Sequence, residues 1–199
     1  MALTNSYATL AEVKAALRIG DTVDDSLLEM AIESASRLVD AYAGRYFYNA
    51  GTATKVFAAQ DSYITITEDL QSLTTLETTN EPGGTYTTWT ANDYQLEPVN
   101  GKADGIAMPY TQVRAIDSYL FPVLNGATLV RITGVWGWAS IPIAIKQATI
   151  MQASRIFTRL QSPLGVLSSP DLGFIRVGSR IDPDVAQLVD PYRTLRNFA

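Results

Sequence analysis

Residues 24–45 read DDSLLEMAIESASRLVDAYAGR, and this stretch predicts an α-helix more clearly than any other part of the chain. Its apolar residues recur at three- and four-residue spacing, which places them along one broad stripe of a helix. Asp24 and Asp25 lie where the helix dipole favours acids, and Gly44 lies where helices commonly end. Glu33 and Arg37 are spaced as an exposed i,i+4 ion pair. The charges therefore indicate a solvated helix and not a site. The apolar positions are Leu27, Leu28, Ala31, Ile32, Ala35, Leu38, Val39 and Tyr42.

Further helices are predicted near both ends of the chain. Thr9 and Glu12 have the spacing of a capping box in front of LAEVKAALRI, a helix expected to end at Gly20. After Ser140, a plausible N-cap, and Pro142 in the first turn, residues 143–161 form a strongly apolar helix that is expected to be central. Asp182 and Pro183 predict the start of a short last helix.

Between these helices the pattern changes to short segments rich in threonine and aromatic residues. KVFAA, SYITI, LTTLETT, YTTWT, DYQLEP and TLVRITGVW are separated by turn signals such as EPGG and NG. Such strands without helices between them predict an antiparallel sheet. The predicted fold is therefore α+β, with a helical core from residues 1–47 and 140–199 and an inserted β-rich domain, a small barrel or sandwich, at 48–139.

Composition narrows the function classes. The chain has no histidine and no cysteine, which removes disulfides, zinc fingers and every Ser-His or Cys-His catalytic arrangement. Neither Glu68–Asp69 nor the acids at 182 and 184 have the spacing of a calcium loop. We therefore predict no catalytic residue, no cofactor and no metal site, and expect the protein not to be an enzyme. Trp136 and Trp138 in GVWGW are interpreted as structural residues rather than as a stacking platform.

Charge and hydropathy bear on location. The formal net charge of −5 disfavours a protein that coats nucleic acid. Residues 1–46 hold seven acids and four bases, residues 47–145 nine and four, and residues 146–199 four and seven, so the C-terminal part is basic. No apolar run reaches the roughly 18 residues of a membrane span, and the N-terminus lacks the pattern of a signal peptide. Synthesis and retention in a cytoplasm are expected.

Residues 162–185, SPLGVLSSPDLGFIRVGSRIDPDV, raise a separate question. Three prolines and three glycines exclude a long helix, yet the stretch is too apolar for an ordinary solvated loop. These side chains either fold back over the protein's own helices or pack against another molecule. They are Leu164, Val166, Leu167, Leu172, Phe174, Ile175 and Val177.

Taken together, these patterns resemble the head–tail connector (adaptor) proteins of tailed bacteriophages. The resemblance lies in LAEVKAALRI with the helix at 24–45, in ITGVWGWASIPIAIKQATIMQASRIFTRLQSPLGV, and in IDPDVAQLVDPYR. It implies a virion protein made in the bacterial cytoplasm that forms a cyclic ring of about twelve copies beneath the portal. The ring would extend the DNA channel without sequence-specific DNA binding and present a surface to a head-closure or tail-completion protein.

The resemblance also assigns residues to contacts. In a cyclic ring one surface of a copy meets a different surface of the next, which suits a long apolar arm. The seven apolar residues above are thus predicted to form the subunit interface, and GFIRV could add a strand to a neighbour's sheet edge. The basic, aromatic C-terminus is predicted to contact the portal protein through Tyr192, Arg193, Leu195, Arg196 and Phe198.

Two other functions remain open from the sequence. The chain could be a head-closure or tail-completion protein of the same virion, which its partner would reveal. It could also be a module whose β-domain binds a glycan or single-stranded nucleic acid through Trp89 or Trp138.

Overall fold

The computed structural model describes residues 3–161, 166–169, 173–176 and 181–194. The chain divides into two compact units. The first combines Met1–Tyr48 with Ile141–Ala199, and the second is Asn49–Ser140. The first unit is helical and the second holds an antiparallel sheet, which confirms the α+β class.

The first unit is built from helices that pack around a shared apolar core. They are α1 (Leu10–Leu17), α2 (Asp25–Ala43), α3 (Ile143–Gln161), α4 (Pro183–Val189) and a 3₁₀ turn at Asp190–Tyr192. Helix α2 packs along α3, and α1 and α4 also pack against α3. One core cluster joins Val13, Leu28 and Ile32 to Phe157, all buried, so the central position predicted for the third helix is confirmed.

Several helix ends match the sequence predictions, among them the end of α2, where Gly44 follows Ala43 in the left-handed conformation with φ of 70°. The capping box of α1 is present, because the Glu12 N–H donates to Thr9 Oγ1 at 3.2 Å and the Thr9 N–H donates to Glu12 Oε2 at 2.8 Å. At α4, Asp182 is the N-cap and accepts the Asp184 N–H at 2.8 Å, with Pro183 as the first helical residue.

One predicted end was wrong. Helix α1 ends at Leu17, and Arg18, not Gly20, adopts the left-handed conformation with φ of 58°. The Ile19 N–H donates to the Lys14 carbonyl at 3.0 Å and closes the helix at that point. Helix α3 begins at Ile143 as predicted. Pro142 directly precedes it and its carbonyl accepts the Lys146 N–H at 3.0 Å, so Pro142 is not in the first turn and Ser140 is not the N-cap.

The second unit consists mainly of antiparallel strands. They are β1 (Asn49–Phe57), β2 (Ile64–Thr78), β3 (Thr87–Thr88), β4 (Tyr94–Glu97), β5 (Lys102–Ala103), β6 (Ile106–Ala107), β7 (Tyr110–Ala115) and β8 (Val130–Gly137), with a 3₁₀ turn at Val99–Gly101. The main sheet has the order β1-β8-β2-β7-β4, β3 pairs with β2, and β5 and β6 form a separate hairpin. Because β1 and β4 do not pair in the described residues, the sheet is open there and not a closed barrel.

The strand predictions differ from the structure at several places. Residues 64–66 of SYITI and 73–78 of LTTLETT lie on one 15-residue strand, β2. Its pairing with β7 and β8 shifts register between Ile66 and Leu70, between Leu70 and Ser72, and between Leu73 and Thr75. Strand β7 was not predicted, although Val113 and Ala115 bury their side chains in the sheet core.

The arm contains regular structure. Strand β9 (Val166–Ser169) pairs antiparallel with β10 (Gly173–Arg176), with Leu167 opposite Ile175. These eight residues form a hairpin ladder where the sequence indicated little regular structure. Within the described residues, no helix has the length and apolar character needed to cross a membrane.

Candidate functional site

The residues predicted for the subunit interface fall only partly within the described chain. Val166 and Leu167 lie on β9, and Phe174 and Ile175 lie on β10. The other three, Leu164, Leu172 and Val177, are outside the described residues. The hairpin therefore brings four of the seven positions onto two paired strands, and the interface itself stays a prediction.

The predicted portal-contact residues divide in a similar way. Tyr192 and Arg193 are described, whereas Leu195, Arg196 and Phe198 lie outside the described residues. The segment that carries Tyr192 and Arg193 runs past the C-terminal end of α2. There the Thr194 N–H donates to the Ala43 carbonyl at 2.9 Å, and the Arg45 Nε donates to Thr194 Oγ1 at 2.6 Å. The base of the C-terminal tail is thus fixed to the helical unit.

Arg193 has a defined position on this surface. Its guanidinium lies 4.7 Å from the centre of the Tyr42 ring, and its Nη1 is 3.7 Å from Asp190 Oδ1. The Tyr42 hydroxyl donates to the same carboxylate at 2.7 Å, and this hydrogen bond raises the pKa of Tyr42. Arg193 remains solvent-exposed, so the cation is held in place and still accessible to a partner.

Tyr192 connects the tail to the interior of the unit. Its ring meets the Phe47 ring edge-on at 6.1 Å, and Phe47 in turn meets Tyr7 edge-on at 5.8 Å. Phe47 and Tyr7 are both buried. The base of the tail therefore rests on a row of aromatic rings that ends in the core.

A buried polar network lies behind this row. The Tyr7 hydroxyl donates to Asp40 Oδ1 and accepts the Phe47 N–H at 2.8 Å. Arg37 Nε lies 3.0 Å from Asp40 Oδ2. Burial raises the pKa of Asp40 to about 6, and burial together with the Asp40 hydrogen bond raises that of Tyr7. Sequence reasoning missed this network because Asp40 looks like one more helix charge, although it lies beside the buried Val39 and Ala43.

The i,i+4 pair of Glu33 and Arg37 is present at 3.8 Å and partly exposed. Arg37 thus belongs both to the predicted surface pair and to the unpredicted buried network.

The three tryptophans are structural. All are buried, and each indole N–H has a partner: Ala53 O for Trp136 at 2.8 Å, Asp69 Oδ2 for Trp138 at 2.9 Å, and Thr78 Oγ1 for Trp89 at 2.8 Å. Trp89 also stacks on Phe121 with ring centres 4.7 Å apart. The structural interpretation of Trp136 and Trp138 is confirmed.

The paired acids considered as cation ligands are engaged within the protein. Glu68 pairs with Lys55 at 2.6 Å, and Asp182 caps α4 and pairs with Arg155. Across the described part of the chain, no three His, Cys, Asp or Glu side chains are grouped so that they could hold a metal ion.

Comparison with known proteins connects this structure to a family. Residues 7–81, which contain α1, α2, β1 and β2, match the sequence model described as Phage gp6-like head-tail connector protein. The resemblance to head–tail connector proteins is confirmed. The match ends before the later segments that also suggest a head–tail connector, so these are not covered by it.

Solved structures of similar fold cover almost the whole of this chain. One, titled "Neck of empty GTA particle computed with C6 symmetry", has a TM-score of 0.58 and 17% identity, with 98% of this chain and 94% of that chain covered. A second, "Neck of native GTA particle computed with C12 symmetry", has a TM-score of 0.57 and 16% identity, with 98% and 93% covered.

A third structure, "Virion of native gene transfer agent (GTA) particle", has a TM-score of 0.56 and 18% identity, with 98% and 94% covered. At these identities the likeness establishes a shared fold. No curated protein matches the chain.

Proposed function

We propose that this protein is a structural component of the virion neck, a ring-forming adaptor between head and tail. In this role it docks under the portal, extends the DNA channel and provides the platform for tail attachment. The observation that carries the proposal is the head–tail connector match over residues 7–81, supported by the fold shared with neck structures over 98% of the chain. The role requires no catalysis and no cofactor.

The proposed ring is a closed cyclic assembly, with about twelve copies as the family resemblance implies. Two of the neck structures of similar fold were computed with C6 and C12 symmetry, and this supports a cyclic arrangement for the present chain. In that ring the arm is the proposed subunit interface, through Leu164, Val166, Leu167, Leu172, Phe174, Ile175 and Val177.

The proposed portal contact is the C-terminal tail from Tyr192 onward. Its base is anchored beside Ala43 by a backbone hydrogen bond, and Arg193 is exposed there. An anchored base with an exposed cation suits a contact whose polar part is positioned before the partner arrives. Leu195, Arg196 and Phe198 would supply the apolar and cationic remainder.

Co-sedimentation tests the proposal against a head-closure or tail-completion role. The purified protein is mixed separately with the portal protein and with the tail-tube protein of the same particle. An adaptor is expected to sediment with the portal in a ring-to-ring complex. Binding to the tail tube without binding to the portal would contradict the proposed place in the neck.

A truncation after Ser162 is unsuitable as a test of the arm, because it also removes α4. Val185 and Val189 of α4 are fully buried in the helical unit. Loss of these side chains would destabilise the fold itself and so mimic a loss of assembly. Substitutions within the arm, such as Phe174→Asp, keep α4 in place.

A further inference from the structure

Helix α2 carries an apolar surface that its own unit leaves uncovered. Met30 is 55% exposed, Leu38 44% and Leu27 39%, although all three are large apolar residues. Ser34 and Ala41 are exposed as well. At 100° per residue, these five positions fall within an arc of about 80° and run the length of the helix. We call this surface, Leu27, Met30, Ser34, Leu38 and Ala41, the α2 stripe.

The α2 stripe is distinct from the face that α2 buries. The apolar residues of the buried face are centred about 125° around the helix from the stripe, by the same angular count. No charged residue lies in the stripe: Glu29, Glu33 and Arg37 are partly buried on the remaining side, and Asp40 is buried. The single broad apolar stripe indicated by the sequence is therefore two surfaces, of which only one is used within the unit. The apolar residues of the buried face are Leu28, Ala31, Ile32, Ala35, Val39 and Ala43, and Ser36 and Asp40 are buried on the same helix.

A helix in a soluble unit needs only one apolar face to pack on its core. A second face with no charged residue along its axis is typical of a surface that packs against another chain. Its length from Leu27 to Ala41 is about 21 Å at 1.5 Å per residue. This is long enough for a four-residue strand, which spans about 13 Å, to lie along it.

The geometry of a cyclic ring indicates what covers the stripe. Each interface in such a ring joins two unlike surfaces, so every copy needs one surface that reaches out and another that receives it. The arm at residues 162–180, with its seven apolar residues, is the proposed reaching surface. The α2 stripe is the apolar helix face that could receive it.

Charge complements this pairing. Residues 21–36 contain five carboxylates and no basic residue, although Lys14 pairs with Asp25. The arm contains Arg176 and Arg180 against a single acid, Asp171. Attraction between the arginines of the arm and the carboxylates at the start of α2 would favour the orientation of the arm that brings these charges together.

We propose that the α2 stripe of one copy receives the arm, residues 162–180, of the neighbouring copy. The inference rests on the proposed ring and names its acceptor surface. Burial of Leu27, Met30 and Leu38 under the arm hides apolar side chains of both partners from water. The interface then uses a helix face and a hairpin, two different surfaces, as cyclic symmetry requires.

A photo-crosslinker at position 30 tests which segment covers the stripe. Benzoylphenylalanine replaces Met30, and ¹⁵N-labelled protein is mixed with unlabelled protein before assembly with the portal and irradiation. The expected products join position 30 to residues 162–180 of the other isotope. The matched control carries the probe at Val56, an exposed apolar residue of β1, and should give no link to the arm. Links to the arm of the same copy, or only to other segments, overturn the proposal.

A charge-insertion variant separates this proposal from the ring itself. The double variant Met30→Asp, Leu38→Asp is expected to assemble at least tenfold more weakly than the wild type, while Val56→Asp assembles normally. If the wild type forms rings and the double variant forms them equally well, the α2 stripe is not the acceptor and the proposed function stands. If the wild type forms no ring with or without the portal, the ring and the acceptor are both wrong.

Discussion

At the residue scale, Asp40 connects the chemistry of the helical unit to its stability. Its carboxyl is buried and faces the Tyr7 hydroxyl and the Arg37 guanidinium, with Glu33 also acting on its charge. Burial disfavours the ionised form more than Arg37 favours it, so the pKa of Asp40 is about 6, against an ordinary value of 3.8. Between about pH 4 and pH 6 the Asp40 carboxyl therefore keeps its proton in the native state and loses it in the unfolded chain.

Asp40→Asn should change the pH dependence of stability. Between about pH 4 and pH 6 Asp40 is ionised in the unfolded chain and protonated in the native one, so the wild-type free energy of unfolding falls as pH rises. Asparagine does not ionise, so the variant lacks this contribution to the pH dependence of the free energy of unfolding. Its free energy of unfolding relative to wild type should rise by about 1–3 kcal/mol from pH 4 to pH 7. Urea denaturation at several pH values measures this, and a pH-independent difference would contradict the raised pKa.

Arg193 is the residue through which the portal contact can be tested on the described structure. Arg193→Glu reverses an exposed charge beside Tyr42 and Asp190 and should weaken binding to the portal about tenfold or more. Lys102→Glu makes the same change on an exposed residue of β5 and should leave binding unchanged. Surface plasmon resonance against immobilised portal compares the two. Equal loss in both variants would indicate a general charge effect rather than a contact at Arg193.

At the element scale, the helices could be predicted from the sequence because their signals are local. Thr9 with Glu12, and Asp182 with Pro183, act within one turn of the helix that they begin. The end of α1 could not be predicted in this way. Arg18 adopts a left-handed conformation that glycine normally favours, and backbone hydrogen bonds to Ala15 and Lys14 stabilise it.

The sheet was less predictable because its pairing is not local. Strand β7 is polar at Thr111, Gln112 and Arg114, and it is a strand because β2 and β4 bind it on both sides. Arg114 and Gln112 both bond to Glu97 of β4, a contact that no sequence period shows. Helix α2 is a related case. The period of its apolar residues is correct, but which of them are buried depends on α1 and α3.

Gly134 of β8 pairs with Leu73 of β2, between two of the register shifts of that strand. A Cβ at this position would lie 2.8 Å from Leu70 Cδ1 and closer still to the Ser72 carbonyl oxygen. Gly134→Ala should therefore lower the free energy of unfolding by about 2 kcal/mol or more. Gly20→Ala, where a Cβ meets nothing within 4 Å, should change it by less than about 0.5 kcal/mol. Thermal or urea denaturation compares the variants. If Gly134→Ala is as stable as the wild type, β2 and β8 do not approach each other as closely as this structure shows.

At the scale of the whole molecule, the candidate site could be predicted only in outline. A run of apolar residues that contains prolines and glycines, such as that of the arm, predicts a packing partner but not the surface of that partner. The α2 stripe and the anchored base of the tail depend on tertiary contacts, so the sequence alone could not predict them.

The acidic composition predicts how an assembled ring treats DNA. A channel through which DNA slides should not hold phosphates tightly, and the chain carries a net charge of −5. The ring should therefore bind duplex DNA poorly at physiological salt. A mobility-shift assay measures this, and tight, salt-sensitive binding would contradict a passive channel.

The central claim, that copies of this chain close into a ring at the portal, is tested most directly by native mass determination of the purified protein, alone and mixed with the portal. The account predicts a discrete assembly of about twelve copies, formed alone or on the portal. A protein that remains monomeric at every concentration, with the portal present as well as absent, would contradict it.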